Sequence, residues 1–265
     1  SITPNPCLVC NQRIRWGFLY ERARAVGADF LATGHYARSQ QDGQGKWQLL
    51  RALDQAKDQS YVLHVLQQEQ LAHTLFPLGG YTKAQVRQLA RQFDLPVAER
   101  PESQDLCFLG EADYRSFLAR HASASLKPGP ILNTRGELLG EHVGLPAYTI
   151  GQRKGIRIAS PKPLYVIEKD TARNALIVGT LDELGSDELV AQQINWVVGS
   201  APEGPFRASI KIRYQAQEVP GTVTPLPGQE AHVKFDAPLR DITPGQAAVF
   251  YVDQICLGGG IIKKK

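Results

Sequence analysis

No methionine occurs anywhere in this sequence, and only 4 cysteines, 3 tryptophans and 6 histidines are spread over its 265 residues. Methionine is missing even from position 1, which sets the expectation that further residues precede the stretch seen here. Four cysteines, two of them in one short motif, exclude the disulfide framework of a small secreted domain. No apolar run approaches the roughly 20 residues that span a bilayer. No basic head followed by an apolar stretch opens the chain as a secretory leader would. These two absences predict a cytoplasmic protein with no membrane partner. A strong charge of one sign is lacking too: the formal net charge is +4, which permits nucleic-acid binding without demanding it. Lys263, Lys264 and Lys265 read as a solvated tail. There is no internal repeat and no low-complexity segment. What remains, 43% hydrophobic and 21% charged residues, is ordinary globular composition, with length for two or three domains.

The first stretch with chemistry in it is Thr3-Pro4-Asn5-Pro6-Cys7-Leu8-Val9-Cys10-Asn11. The two prolines bias their predecessors away from helix and favour an extended start. An amphipathic run follows, so Asn11 is expected to cap a helix over 12–26. Ile14, Phe18, Leu19 and Ala23 fall on one face of it, and Gly27 stops it. That would place Cys10 at the helix mouth, where unpaired N–H groups and the dipole favour a thiolate, with Arg13 and Arg15 acting the same way. Thiols in such places ionise at roughly 3.5–7.5 instead of about 8.5, the condition for a nucleophile. A Cys-x-x-Cys pair is also half of a zinc site or a redox dithiol, and these residues alone leave the three uses open.

Residues 28–33 form a short apolar run ending in Gly34-His35-Tyr36, which predicts a buried strand in an α/β unit with a parallel sheet. Ligands of such sheets sit at the carboxyl ends of strands. Gly34 either lets a nucleotide approach the backbone there or makes a plain strand-end turn. Residues 47–53 read as a strand. Lys57-Asp58-Gln59-Ser60 reads as a polar loop, with Asp58 or Ser60 capping a short helix over 61–66. Thr82 and Gln85 match a capping box, Tyr81 and Val86 a hydrophobic staple, and Val86, Leu89, Ala90 and Phe93 an apolar face that Pro96 closes. Cys107 lies in a strand-like run between Leu106 and Phe108, an inert core thiol unless the fold brings it near Cys10. A helix follows over 111–121.

After residue 122 the helical period fades. Turns such as Asn133-Thr134-Arg135-Gly136 separate short apolar runs, predicting a small β-rich domain. Within it, Tyr148-Thr149-Ile150-Gly151-Gln152-Arg153-Lys154-Gly155 sets two cations between two glycines, to hold a phosphate or an RNA backbone, or simply to face solvent. From about 187 the chain is all-β in style. Residues 208–214 alternate as a half-buried strand, and runs at 222–225, 231–235 and 247–252 are split by Pro-Gly turns. Five or six such strands predict a small barrel, with Cys256 in its core.

Thr3-Pro4-Asn5-Pro6 with Cys10-Asn11, then Ala32-Thr33-Gly34-His35-Tyr36, Lys57-Asp58-Gln59-Ser60-Tyr61, Cys107-Phe108-Leu109-Gly110 and 148–155 occur in one order. Arg213-Tyr214 and Pro244-Gly245-Gln246-Ala247 complete the set. Over essentially the whole chain this set resembles the bacterial tRNA-specific 2-thiouridylases, the tRNA uridine 2-sulfurtransferases. The resemblance implies α/β plus all-β architecture: over 1–121 the C-terminal part of a Rossmann-like ATP-pyrophosphatase domain, over 122–186 a central β-rich domain, over 187–265 a β-barrel. It implies ATP-dependent transfer of sulfur to C2 of the wobble uridine of tRNA, with ATP and Mg2+ as cofactors and with tRNA and an upstream persulfide donor protein, but no DNA, as partners. Cys10 then matches the nucleophile and Cys107 the persulfide carrier. Asn5, Pro6 and Cys7 match the segment against the target base, and Gly34 a nucleotide contact. His35, Lys57, Asp58, Gln59, Arg213, Tyr214 and Gln246 match tRNA contacts.

Two departures stand out. The family's Ser-Gly-Gly-x-Asp-Ser phosphate loop does not occur in these residues; Gly258-Gly259-Gly260 is no substitute, lying at the far end and not between strand and helix. The expectation is that this chain by itself is inactive. Many members carry Asp where this chain has Cys7, and the added thiol allows an alternative: Cys7, Cys10 and Cys107 as ligands of an iron–sulfur cluster or zinc in a tRNA-binding protein.

Overall fold

The computed structural model describes residues 2–99, 107, 109, 114–121 and 126–264. Its first helix opens earlier than the sequence pattern predicts. Asn5 caps it, its Oδ1 accepting the Cys7 N–H at 3.1 Å, and Pro6 takes the first helical position, where its fixed φ fits and its missing N–H costs nothing. The helix runs as α1 (Pro6–Val9), a π-helical stretch (Cys10–Leu19) and α2 (Tyr20–Ala25). Asn11 therefore caps nothing; it is buried inside the helix and donates from Nδ2 to the Val62 carbonyl at 2.8 Å.

The π geometry also overturns the predicted apolar face. With i→i+5 bonding, residues five apart line up, and a face counted at 3.6 residues per turn is displaced. Asn11 and Trp16 point inward with Leu8 and Tyr20, while Ile14, Phe18 and Leu19 face solvent. Trp16 is the helix's anchor, fully buried with its Nε1 donating to Thr74 Oγ1 at 2.8 Å.

The expected parallel pair is present in small form, but the buried strand expected over 28–33 is reduced to two residues that are half-buried and exposed, since among the described residues the pair is a sheet of only two strands. β1 (Leu31–Ala32) is followed by the hairpin β2 (Ala37–Gln41) and β3 (Trp47–Arg51), then by α3 (Ser60–Leu63) and α4 (Gln68–Ala72). β4 (Thr74–Leu75) then pairs with β1 in parallel. Next, α5 (Lys83–Gln92) has the predicted Thr82–Gln85 capping box, yet none of its residues is buried and Phe93 is exposed. Capping is a local matter; what covers a helix face is not. The strand-like run at 105–109 lies largely outside the described residues, but Cys107 itself is exposed, which corrects its reading as a core thiol. α6 (Tyr114–His121) follows.

A four-stranded sheet comes next, built from β5 (Gly129–Asn133), β6 (Leu138–His142), β7 (Tyr165–Asp170) and β8 (Ala175–Gly179) in the order β6-β5-β8-β7, with β5 and β8 parallel. Its core gathers Ile131, Leu145, Tyr148, Ile156, Val166, Leu176 and Val178.

β9 (Ser186–Asn195), β10 (Phe206–Lys211), β11 (Val219–Leu226), β12 (Glu230–Leu239), β13 (Ala247–Val252) and β14 (Ile255–Ile262) then close into a six-stranded barrel through the β13–β14 pairing. The late glycines belong to this closure: a Cβ on Gly260 would come within 2.5 Å of the Gln192 carbonyl on β9.

The barrel wall continues beyond itself. β14 pairs with β3, so the β2–β3 hairpin joins the barrel sheet. Arg51 at the end of β3 makes a two-pronged ion pair with Glu218 and lies 3.8 Å above the Tyr251 ring. One shared core results, with Leu8, Trp16, Leu49 and Tyr61 packed among Ala247, Val249, Tyr251 and Cys256. The cysteine-bearing helix is thereby held against the barrel. Among the described residues no helix is long and apolar enough to cross a membrane.

Candidate thiol site

The helix start sets the spacing of the first two thiols. Cys7 follows Pro6 in the first turn, and Cys10 comes one turn later, its N–H bonded to the Cys7 and Pro6 carbonyls. Cys7 is exposed and Cys10 half-buried. The fold brings Cys107 to the same place, close enough that its sulfur acts electrostatically on Cys7. Desolvation is the first cause that pushes the Cys7 thiol up; Cys107 and then Cys10 add to it, and the Arg15 guanidinium opposes them. The expected placement at the helix mouth is thus corrected: the residue in the first turn is Cys7, not Cys10, and the Cys7 thiol is raised because partial burial and two nearby sulfurs outweigh one arginine.

Arg15 is the hinge between these sulfurs and His35. Its Nη1 lies 2.7 Å from His35 Nε2 and reaches Asn11 Oδ1 at 3.4 Å. A guanidinium only donates, so Nε2 accepts and the imidazole proton sits on Nδ1, donated to Thr33 Oγ1 at 3.0 Å. Burial, and secondarily Arg15, lower the His35 pKa to about 4, so the ring is neutral. His35 is itself buried against Trp16, with ring centroids 5.5 Å apart.

The barrel supplies the opposite wall. Tyr214 follows β10, packs 6.2 Å from the Tyr61 ring, bonds to the Gln59 side chain and lies within electrostatic reach of Asp58 and Cys7. Its hydroxyl pKa is raised, chiefly by burial. Gln59 ties this wall to the strand end: its Oε1 accepts the Tyr36 N–H at 2.9 Å, and its own N–H donates to the Tyr36 carbonyl at 2.8 Å. Cys7, Cys10, Cys107, Arg15, His35, Gln59 and Tyr214 therefore form one neighbourhood drawn from both ends of the chain.

Other expected site residues have internal partners. Asn5 caps the helix. Asp58 is buried, accepting the Ala52 and Ser60 N–H groups and the Ser60 hydroxyl. Lys57 is half-buried at the end of a 3-10 turn. Arg213 bonds the Ile150 carbonyl at 3.0 Å and Thr243 Oγ1, and pairs with Asp241 at 3.6 Å. Gln246 donates to the Thr3 carbonyl at 2.7 Å. Gly34 is exposed, its φ is not left-handed, and a Cβ there would meet nothing nearer than Leu78 Cδ1 at 3.8 Å. Arg153 and Lys154 are exposed at a loop tip. Among the described residues no three His, Cys, Asp or Glu side chains are grouped to hold a metal ion, so Cys7, Cys10 and Cys107 are neighbours but not a preformed cluster site. Sequence reasoning did not single out Trp16 or Lys169, and gave Thr3 no role of its own.

A short parallel α/β unit with clustered thiols, a small β-rich sheet and a closed barrel define a three-module protein. Its modules match, in order, the family models described as tRNA methyl transferase HUP domain (residues 1–111), tRNA methyl transferase PRC-barrel domain (115–180) and aminomethyltransferase beta-barrel domain (186–262). The chain is 50% identical over 262 residues to a protein of Moorella thermoacetica named tRNA-specific 2-thiouridylase MnmA, covering 98% of this chain and 73% of that one. A protein of the same name from Geotalea uraniireducens is 49% identical over 261 residues, 98% of this chain and 69% of its own. The chain belongs to the tRNA-specific 2-thiouridylase family.

Proposed function

We propose that this protein replaces the C2 oxygen of a tRNA uridine by sulfur, using ATP and a protein-borne persulfide. The observation that carries the reading is that Cys107 and Cys10 both lie within electrostatic reach of Cys7, beside Arg15 and Tyr214. Sulfur transfer needs two thiols with different tasks, one to carry a sulfur atom and one to resolve the S–S bond. The module descriptions mention methyl and aminomethyl transfer, but neither of those reactions calls for clustered thiols, and the whole-chain relatives are named for thiolation.

In this reading the uracil O2 attacks the α-phosphorus of ATP and pyrophosphate leaves. The base must first leave its stack to be reached. The terminal sulfur of a Cys107 persulfide, loaded by an upstream donor protein, attacks C2 and AMP departs, leaving C2–S–S–Cys107. The Cys10 thiolate then attacks Cys107 Sγ; the electron pair of the broken S–S bond stays on the sulfur at C2, and a Cys10–Cys107 disulfide remains. The same two thiols also serve a route in which hydrosulfide is released and attacks C2 itself. Asn5, Pro6 and Cys7 lie along the base, while Lys57, Arg213, Tyr214 and the Arg153–Lys154 loop line the tRNA path. No phosphate loop occurs among these residues, so ATP's phosphates are assigned to none of them, and only Gly34 is offered to the nucleotide.

The gene encoding this protein, placed in a bacterium lacking its own 2-thiouridylase, is expected to restore 2-thiouridine in nucleosides digested from total tRNA, read by mass spectrometry. Restoration of a methylated uridine with no thiolated one would overturn the reading. Gly34 offers a sharper local check, because alanine fits there sterically and conformationally. Gly34→Ala is expected to leave the melting temperature unchanged and raise the KM for ATP about tenfold, from the approach a methyl group blocks. An unchanged KM would remove Gly34 from the nucleotide site.

A further inference from the structure

The segment ahead of the cysteines is held by residues far from it in sequence. Every polar atom of Thr3 is engaged by one of the two β-rich modules. Its N–H donates to the Pro244 carbonyl at 2.8 Å, its carbonyl accepts Gln246 Nε2 at 2.7 Å, and its hydroxyl accepts Lys169 Nζ at 3.3 Å. Lys169 also donates to the Tyr148 carbonyl at 3.1 Å. Gly245 lets the two backbones meet: its φ is +92°, and a Cβ there would come within 2.9 Å of both Thr3 N and Ile2 Cβ. The holding turn is fastened to the last barrel strand, with the Gly245 N–H on the Ile262 carbonyl at 3.0 Å and the Ile262 N–H on the Gln246 carbonyl at 2.8 Å.

Lys169 is the unusual member. It sits on β7 of the four-stranded sheet with 3% of its surface exposed, too little for a long cation to be reaching for RNA. Both its partners are neutral oxygens, and among the described residues no carboxylate pairs with it. A buried ammonium with only neutral acceptors is costly and needs a reason beyond filling the core. One of its bonds stays within the central module, at Tyr148, and the other joins that module to Thr3, four residues before Cys7.

We propose that Lys169 and Gln246 are positioning residues, which set the height and orientation of the Cys7–Cys10 helix start from the two β-rich modules through Thr3. The inference rests on the sulfur-transfer reading for its purpose but not for its geometry. Gln246, on this view, acts on the helix start through Thr3, whatever else its position on the barrel does at the RNA. Arg213 bonds Ile150 of the central module and its neighbour Tyr214 stands by Cys7, so the modules that hold the thiols also carry the residues assigned above to the tRNA path.

The test compares Lys169→Met, Lys169→Arg, Gln246→Leu and Thr3→Val with the parent protein. Thr3→Val removes only the hydroxyl acceptor and keeps both backbone bonds, so it serves if a Lys169 variant fails to fold. Alkylation of Cys7 and Cys10 by iodoacetamide, followed by peptide mass spectrometry, reads thiol geometry without tRNA or ATP. Rates are expected to change at least fivefold in Lys169→Met, Gln246→Leu and Thr3→Val, with Lys169→Arg returning toward the parent. In thiolation assays kcat is expected to fall about tenfold or more in the same three variants, with the KM for tRNA held within twofold in Lys169→Met and Thr3→Val. Alkylation within twofold of the parent in folded variants would overturn the proposal, as would a raised KM with kcat retained, the signature of a plain RNA contact. If the parent makes no 2-thiouridine yet the alkylation rates shift, the clamp stands and the functional reading fails.

Discussion

Cys107→Ser is expected to abolish 2-thiouridine formation, with a loss on the order of 10³-fold or more, as for removal of a group that forms a covalent intermediate. Serine keeps the size of the side chain and removes the only atom able to carry sulfane sulfur. The exposed position of Cys107 means that folding should not suffer, so a loss reports chemistry. Cys10→Ser is expected to cost a similar factor for a different reason: without the resolving thiol, sulfur remains bonded between Cys107 and the base. Intact-mass spectrometry should then show a tRNA–protein adduct or a persulfide lingering on Cys107 in Cys10→Ser, and neither in Cys107→Ser. The double variant should be no worse than either single one, since the two thiols act as a unit. Cys7→Ser is the informative contrast. Its thiol is pushed up by desolvation and by the two other sulfurs, so it is protonated and no nucleophile near neutrality, and its replacement should cost less than tenfold. Full 2-thiouridine in cells carrying Cys107→Ser would sink the two-thiol mechanism.

A marked loss of stability is expected as pH falls from about 6.5 toward 4. His35 and His64 are both buried, and both have pKa values lowered to about 4. Burial is the leading cause in each; for His35 the Arg15 charge adds to it, and for His64 the Tyr61 carbonyl opposes it. Unfolding returns both to a pKa near 6.5, so the unfolded chain binds more protons throughout this interval. The sign follows: their contribution is whole above about 6.5 and is lost as pH falls through the folded value of about 4. At 1.36 kcal/mol per unit the limit is on the order of 3 kcal/mol for each histidine, enough to unfold a protein of ordinary stability. Urea unfolding at pH 7.5, 6.5, 5.5 and 4.5 would measure it. The slope should begin near 6.5, above the carboxylate range, which separates it from the acid response of Asp170 and Glu183, both shifted downward. His64→Asn, whose amide can donate to the Tyr61 carbonyl in place of Nδ1, should flatten the slope by about half. A flat profile between 6.5 and 4.5 would contradict both assignments. Protonation of His35 would also drive Arg15 away, so thiol reactivity at Cys7 should change over the same interval.

Where a structural choice depended on nearby residues, the sequence by itself determined it. The Thr82–Gln85 capping box, the turn at Asn133–Gly136, the alternation of the barrel strands and the change from helical to β style are all local effects of propensity, capping and period. The ordered motifs also named the family. Tertiary structure alone decided the rest. The helix start was misread because Pro6 was taken to keep the chain extended, when the same fixed φ opens a helix once Asn5 supplies the cap. The buried face was misread because a π-helical stretch turns at a different period, and only packing of Trp16 onto Thr74 shows which residues point inward. Lys169 carries no local signal: a bulge between Val166 and Glu168 shifts the alternation of β7 and turns a lysine inward. The joining of β3 to the barrel, the meeting of Cys107 with Cys7 and the grip of two β modules on Thr3 are contacts between residues far apart in sequence. No local signal encodes them, since each depends on closing long loops that only the complete packing of the core makes favourable.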